Sequence, residues 1–235
     1  MELLDPDIRA FFDTVGVLVD AAAKVDLELA RRIGTRFNVF DVIRPDENRI
    51  SDILRDLLDP HGSHGQGACF LKAFLETCGI VASWSDLAST RVYRESRTST
   101  LDADRRIDLV IDFVGARRGA IGIENKPWAG EQKMQLADYA EHLERRYEDR
   151  FHLVYLTGTG RPSTTLGACG ERLRLDGRFH TVPYNGFEEH RTLRKWIEQC
   201  IDLADAEKVR WFLRDFAAWI DRSFERSTDI ESTCE

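Results

Sequence analysis

Two acidic side chains and a lysine lie on two apolar segments with the composition of β-strands. Asp108 lies within the first segment, residues 107–113, and Glu124-Asn125-Lys126 ends the second, which begins at Ala120. Successive side chains of a strand point to opposite faces, so Glu124 and Lys126 project together. A carboxylate that faces inward is unfavourable unless it is paired or binds a metal. A hard divalent cation between Asp108 and Glu124 would provide that pairing, which indicates a metal-dependent phosphodiesterase site.

The Glu-x-Lys spacing is a weak signal by itself, because Glu131-Gln132-Lys133 repeats it. The second copy lies in a segment that predicts a helix, where residues two apart lie on different faces, so Glu131 and Lys133 cannot form one site. Glu124 and Lys126 could also be an ordinary surface salt bridge at a strand end. The neighbouring elements therefore have to decide between these interpretations.

A third acidic residue, Glu47, begins an amphipathic helix that follows Pro45. Glu47 lies three residues before Ile50 and seven before Leu54, so it extends the apolar stripe of this helix. One interpretation is that an acid in the first turn stabilises the helix dipole. The other is that Glu47 directs a third carboxylate into the cleft.

A long helix is predicted from about Glu131 to Tyr147, with Gln135 and Tyr139 one turn apart at the edge of its buried stripe. Together they could bind a phosphate or a metal-bound water. The alternative is an ordinary amphipathic helix with a polar rim.

The loop at residues 58–67 is rich in glycine and precedes another helix. It lacks the lysine and hydroxyl of a nucleotide-triphosphate loop, although a helix N-terminus still suits a phosphate. His61 and His64 could ligate a metal, but two histidines in a turn without further ligands are more typical of hydrogen-bonding loop residues.

The order strand, strand, helix, strand predicts an α/β fold, with residues 151–157 as the third central strand and residues 180–184 as an edge strand. Further helices are predicted from Pro6 to about Arg32, from Phe187 to about Leu203 and from Ala206 to about Phe224. The aromatic residues of the last helix share helical spacing, which favours a core role over base stacking. We expect one globular domain: a helical segment packed on the core at 1–36, a core at 37–185, a helical pair at 186–226 and a disordered tail at 227–235.

The 235 residues, 43% of them hydrophobic, can bury a sizeable core. No apolar stretch approaches the roughly 20 residues of a membrane helix, and the first residues lack a signal-like pattern, so a soluble, cytoplasmic protein is expected. Five cysteines without a C-x-x-C pair fit neither a disulfide framework nor a structural zinc site. Cys69, Cys78 and Cys200 are expected to be reduced and packed within helices.

The net charge of −8 argues against a strongly basic nucleic-acid-binding protein, so any affinity for nucleic acid must be local. Arg105 and Arg106 directly precede the Asp108 strand and, with His64 and Gln135, are predicted contacts to nucleic acid. Solvated turns and helix ends are the preferred interpretation of the other arginine clusters, namely Arg31, Arg32 and Arg36, and Arg117 and Arg118.

Taken together, these residues resemble the PD-(D/E)xK nuclease superfamily. Asp108 is similar to the motif aspartate, Glu124-Asn125-Lys126 to the (D/E)xK element, and Gln135-Leu136-Ala137-Asp138-Tyr139 to the Q-L-x-x-Y motif of RecB-like members. The helix from Glu47 to Leu54 and the loop from Leu57 to Gly65 are similar to those of one bacterial branch. The resemblance covers about Phe37 to Thr157, and Ile107 replaces the proline usual before the aspartate.

The resemblance implies a restriction-endonuclease-like mixed sheet flanked by helices and Mg²⁺-dependent cleavage of phosphodiester bonds, with Mn²⁺ as a substitute. Asp108, Glu124 and the backbone carbonyl of Asn125 would bind the metal. Lys126 would position a water or neutralise developing charge, and Glu47 would support a second metal or its water.

The same resemblance implies that Gln135 and Tyr139 orient the phosphate. The expected substrate is nucleic acid, DNA rather than RNA, with a role in bacterial defence or genome maintenance suggested by analogy. Weak standalone binding is expected, or a homodimer or partner protein that adds a basic surface. Two alternatives stay open: a catalytically silent module that binds nucleic acid or protein, and a hydrolase of small phosphoesters.

Overall fold

The structure is a computed structural model that describes residues 6–81, 87–97, 106–115, 118–128, 134–158, 160, 162–167, 169–186 and 191–224. The chain divides into two compact units, Met1–Val39 and Phe40–Glu235. In the described residues, no helix combines the length and the apolar character needed to cross a membrane.

The first unit contains helix α1, Pro6–Ile33, as predicted. Asp7 in its first turn and Arg31 and Arg32 in its last turn all stabilise the helix dipole. Gly34 ends the helix with a φ of 64°, and its N–H donates to the carbonyl of Ala30 at 3.0 Å. The packing of this helix on the core stays a prediction.

The second unit is built on a five-stranded sheet with the strand order β1-β2-β3-β4-β5 in the described part of the chain. The first three strands pair antiparallel and the last three pair parallel, which confirms the mixed sheet and the α/β class. The strands are β1 (Arg91–Arg97), β2 (Arg106–Phe113), β3 (Gly119–Lys126), β4 (Phe151–Thr157) and β5 (Phe179–Pro183).

The described helices of the second unit cover the sheet, and Leu87–Ser89 forms a short 3₁₀ helix. The α-helices are α2 (Val39–Ile43), which begins at the last residue of the first unit, α3 (Glu47–Leu58), α4 (Cys69–Cys78), α5 (Gln135–Tyr147), α6 (Cys169–Leu175), α7 (Leu193–Leu203) and α8 (Glu207–Ser223).

Helices α5 and α3 pack on opposite faces of β3. A Cβ atom at Gly122 would lie 2.8 Å from a δ carbon of Leu143 in α5, so glycine permits the close approach of this helix. Asn125, whose side chain points to the other face, donates to Ser51 of α3 at 2.9 Å. Because both faces are covered, β2 and β3 are buried along almost their whole length.

Strand β1 and helix α6 are among the described elements that were not predicted. Strand β1 carries charged residues such as Arg91 and Arg94, and it is stabilised by antiparallel pairing with β2 at the sheet edge. Helix α6 lies between β4 and β5, where no helix was predicted. Helix α7 begins at Leu193, later than predicted, and residues 187–190 lie outside the described part of the chain.

The predicted core role of the C-terminal aromatic residues is confirmed. Phe40 stacks on Phe216 with ring centroids 4.9 Å apart, and Phe216 stacks on Trp219 at 5.8 Å. Trp211 is an exception, because 48% of it is exposed. Cys69, Cys78 and Cys200 are free thiols within α4 and α7, also as predicted.

Candidate active site at the ends of strands β2 and β3

Asp108 and Glu124 are neighbours on the face of the sheet that α5 covers. The register that pairs Leu109 of β2 with Ile123 of β3 places the two acids side by side. The backbone N–H of Asn125 donates to Oδ2 of Asp108 at 2.9 Å. Burial raises the pKa of Asp108, although this hydrogen bond and the charge of Lys126 oppose the increase.

Glu124 is fully buried. Its Oε1 accepts a hydrogen bond from Nε2 of Gln135 at 2.6 Å and lies 3.0 Å from Nζ of Lys126. Burial first, and then the charge of Asp108, raise the pKa of Glu124 to about 8. The second oxygen, Oε2, is buried and has no hydrogen-bond partner among the described residues. The site therefore holds a carboxylate oxygen that lacks a cation or a donor.

Lys126 lies between two carboxylates. Its Nζ is 2.6 Å from Oε1 of Glu47 and 3.0 Å from Oε1 of Glu124, and only 11% of its side chain is exposed. Burial opposes its charge, but the neighbouring carboxylates, Glu124 first, outweigh that effect and raise its pKa. Lys126 is therefore held charged within the site, and the interpretation as a surface salt bridge is wrong.

Helix α3 brings Glu47 into hydrogen-bond contact with Lys126, which lies 79 residues later in the sequence. Asp46 caps this helix by accepting from the N–H of Arg49 at 2.8 Å, which fixes Glu47 as its first residue. Ser51, one turn later, donates to the carbonyl of Glu47 at 2.9 Å. Of the two interpretations of Glu47, the structure supports a carboxylate that points into the site.

A buried hydrogen-bond network that was not predicted attaches α3 to the end of β3. The side chain of Asn125 donates to Ser51 at 2.9 Å and accepts from the hydroxyl of Tyr184 at 2.5 Å. All three residues are buried. An asparagine in an otherwise apolar strand is the signal that could have indicated such partners. No comparable signal marked Tyr184, which lies just after β5.

Gln135 and Tyr139 are buried beside Glu124 rather than at an open edge. Nε2 of Gln135 lies 2.6 Å from Oε1 of Glu124 and 2.9 Å from the hydroxyl of Tyr139. That hydroxyl donates to the carbonyl of Arg106 at 2.7 Å, and 1% of Tyr139 is exposed. This geometry favours positioning of Glu124 over direct contact with a phosphate.

The residues predicted to contact nucleic acid differ in their exposure to solvent. Arg106 is exposed at the start of β2, and Arg105 lies outside the described residues. His64 is buried: its Nε2 lies 3.0 Å from the carbonyl of Asp59, and its Nδ1 accepts from the N–H of Gln66 at 3.0 Å. These bonds support the loop interpretation of His64, and its contact with nucleic acid stays a prediction.

The other acid of β2 that shares the face of Asp108 has a separate partner. Asp112 is buried and accepts from Nε of Arg118 at 3.0 Å, with a second bond from the guanidinium to its other oxygen. Arg118 therefore neutralises a buried carboxylate, and Asp112 does not take part in the site. Arg117 lies outside the described residues.

The donors of the site fit a hard divalent cation. Within the described ranges, no group of three or more histidine, cysteine, aspartate or glutamate side chains could hold a metal. Mg²⁺ does not require such a cage, because proteins usually bind it through one or two carboxylates, with water and substrate phosphate as the remaining ligands. The adjacent carboxylates of Asp108 and Glu124, with the unsatisfied Oε2 of Glu124, match that requirement.

A family model of the PD-(D/E)XK nuclease superfamily matches residues 37–218, which include every residue of the site described above. The chain belongs to the PD-(D/E)XK nuclease superfamily. The restriction-endonuclease-like fold expected from the sequence agrees with this membership and with the mixed sheet. No curated protein and no solved structure matches the chain. The assignment to a RecB-like bacterial branch stays a prediction.

Proposed function

We propose that this PD-(D/E)XK protein is a divalent-metal-dependent nuclease that hydrolyses phosphodiester bonds of nucleic acid, with DNA as the preferred polymer and Mg²⁺ or Mn²⁺ as the cofactor. The observation that carries the proposal is the pair of adjacent carboxylates, Asp108 and Glu124, with Lys126 bound to one of them. A protein that only bound a partner would gain nothing from burying this arrangement, because a buried carboxylate oxygen without a partner, Oε2 of Glu124, lowers stability.

Asp108, Glu124 and the backbone carbonyl of Asn125 would hold the metal. When bound there, the metal supplies a Lewis acid that acidifies water and neutralises charge on the phosphoryl oxygens. Hydrolysis adds a water oxygen to phosphorus, breaks one P–O ester bond and transfers a proton to the leaving oxygen.

The chain itself supplies a fixed positive charge for that reaction. Lys126 is held by Glu47 and Glu124, so its ammonium can orient the attacking water or stabilise the phosphorane-like transition state without reorganisation. Gln135 of α5 positions Glu124 by a hydrogen bond to its carboxylate. Asn125 positions α3, the helix that carries Glu47, by a hydrogen bond to Ser51. Glu47 would also support a second metal or its water, because its carboxylate lies in the site, 2.6 Å from Nζ of Lys126.

Long-range attraction to nucleic acid has to come from elsewhere, because the net charge is −8. A homodimer or a partner protein with a basic surface would provide it. A role in bacterial defence or genome maintenance, in the cytoplasm, rests on analogy with the family.

The test is cleavage of linear, circular and single-stranded DNA and of RNA in Mg²⁺, in Mn²⁺ and in EDTA. The wild type is compared with the double variant Asp108→Ala/Glu124→Ala and with Lys126→Gln. The matched control is Glu76→Ala/Glu141→Ala, which removes two exposed carboxylates from α4 and α5.

Metal-dependent cleavage in the wild type and the control, but not in the other variants, is the expected result. Cleavage that survives in Asp108→Ala/Glu124→Ala would contradict the site assignment. A folded wild type that cleaves no polymer but binds metal by calorimetry would favour the silent module or a hydrolase of small phosphoesters, and turnover of a nucleotide would separate these two.

A further inference from the structure

Trp128 is an exposed aromatic residue close to the candidate active site. It follows Lys126 by two residues, and 55% of it is exposed. Two residues of extended chain span at most about 7 Å, so the backbone of Trp128 lies within one nucleotide length of Lys126. Single exposed aromatic residues are common on protein surfaces, so the packing and the surroundings of Trp128 decide whether it has a functional role.

The ring of Trp128 is held in place by buried aromatic residues. It stacks on Phe224 with centroids 5.8 Å apart and an interplanar angle of 25°, and it meets Trp219 edge to face at 6.2 Å and 85°. Both partners are buried in the core of the second unit. An aromatic ring that is already fixed loses little conformational entropy when it binds a second ring.

Trp128 also lines a cavity of about 510 Å³ beside the site. Its walls also include Phe40, Trp219 and Pro45, and Pro45 lies two residues before Glu47. Two lining residues, Pro45 and Trp128, are thus each two residues from a side chain of the site, Glu47 and Lys126 respectively. Its volume is within the usual range for a small planar ligand.

The charges around the cavity fit a base attached to a phosphate. Asp41 is neutralised by Arg222 through bonds of 2.8 and 2.9 Å. Arg44 is exposed and forms no ion pair with any residue that the structure describes, so its guanidinium is available to a phosphate. Aromatic side chains and an available guanidinium that line the same cavity favour a nucleotide over an acidic or purely apolar ligand.

We propose that Trp128 is a stacking platform for an unstacked nucleobase next to the scissile phosphate, and that single-stranded or locally melted nucleic acid is therefore the preferred substrate. This inference rests on the proposed nuclease function for the position of the scissile phosphate. Stacking on an aromatic ring tolerates all sequences, because every base has a π face.

The test compares two probes that carry the same phosphates, a single-stranded oligothymidylate of about 12 nucleotides and an abasic strand of the same length. Binding is measured by fluorescence anisotropy in EDTA and again in Ca²⁺. The variants are Trp128→Leu and Trp128→Phe. The control is Trp211→Leu, which removes a similarly exposed tryptophan, 48% exposed, from α8 outside the cavity.

The wild type and Trp211→Leu are expected to bind oligothymidylate more tightly than the abasic strand by roughly 5- to 150-fold, the range for stacking of one base. Trp128→Leu is expected to lose this preference while keeping its affinity for the abasic strand. Trp128→Phe, with a smaller ring, is expected to retain part of it. Thermal unfolding of each variant shows whether the aromatic packing is intact.

A wild type that binds both probes equally, or a Trp128→Leu variant that keeps the base preference, overturns the platform even where metal-dependent cleavage is intact. A base preference that depends on Trp128 in a protein that cleaves no polymer supports the platform and contradicts the proposed hydrolysis instead. If Trp128→Leu does not fold, a reduced preference in Trp128→Phe supports the platform and an unchanged one overturns it.

Discussion

Replacing Glu124 with glutamine is expected to stabilise the metal-free protein while removing its response to metal. Glu124 is fully buried, one of its oxygens lacks a partner among the described residues, and its pKa is raised to about 8 by burial and by Asp108. Glutamine has nearly the same shape and no charge. It can still accept the hydrogen bond from Gln135.

The magnitude follows from proton linkage. Between its ordinary pKa of 4.5 and about 8, Glu124 keeps in the folded chain a proton that the unfolded chain has released, so stability falls as the pH rises through this range. At pH 7, about 2.5 pH units above 4.5, this amounts to about 3 kcal/mol. The loss of the contact with Lys126 reduces the gain, so Glu124→Gln is expected to stabilise the protein by about 1–3 kcal/mol.

The assay is urea unfolding in EDTA at pH 5, 7 and 8, repeated with increasing Mg²⁺. The advantage of Glu124→Gln over the wild type is expected to be small near pH 5 and to grow towards pH 8. Added Mg²⁺ is expected to stabilise the wild type but not the variant, because a ligand stabilises only a chain that binds it. Glu76→Gln, in which an exposed carboxylate 4.0 Å from Lys72 is removed, is the control and should change stability by less than about 0.5 kcal/mol.

The reasoning would be refuted by a Glu124→Gln variant that is no more stable than the wild type at pH 8 in EDTA while the control behaves as expected. Such a result would mean that the folded protein already compensates the charge of Glu124 without a metal. A wild type that gains no stability from Mg²⁺ or Mn²⁺ would contradict the metal site itself.

Three further substitutions test the frame around the site. Asp112→Asn weakens the pair with Arg118 and is expected to lower stability by about 1–3 kcal/mol in urea unfolding, with metal-dependent cleavage retained. Tyr184→Phe leaves Oδ1 of Asn125 without its donor, so we expect a loss of about 1–3 kcal/mol and a decrease in kcat rather than an increase in KM; unchanged stability and kcat would contradict this. Gly122→Ala places a methyl group 2.8 Å from a side-chain carbon of α5 and is expected to cost about 1–3 kcal/mol, which thermal unfolding would detect.

Local periodicity in the amino-acid sequence was enough to predict part of the fold. Alternation along β3 put Glu124 and Lys126 on one face and Asn125 on the other, and the apolar stripe after Pro45 predicted α3 with Glu47 at its start. These predictions succeed because the direction of a side chain within a strand or helix is set by the backbone of that element alone. Strand β1 was not predicted, because its charged sequence is not typical of a strand and its stability comes from pairing with β2.

The contacts between side chains of different elements depend on how those elements pack, and no local pattern predicts them. Glu47 and Lys126 are 79 residues apart, and Tyr184 and Asn125 are 59 apart, yet both pairs are in hydrogen-bond contact. The buried position of Gln135 beside Glu124 likewise depends on how α5 crosses the sheet. A single sequence specifies the direction of each side chain within its element but not the distance between elements. That distance is set by packing across the sheet, which also determines the burial and therefore the raised pKa of Glu124.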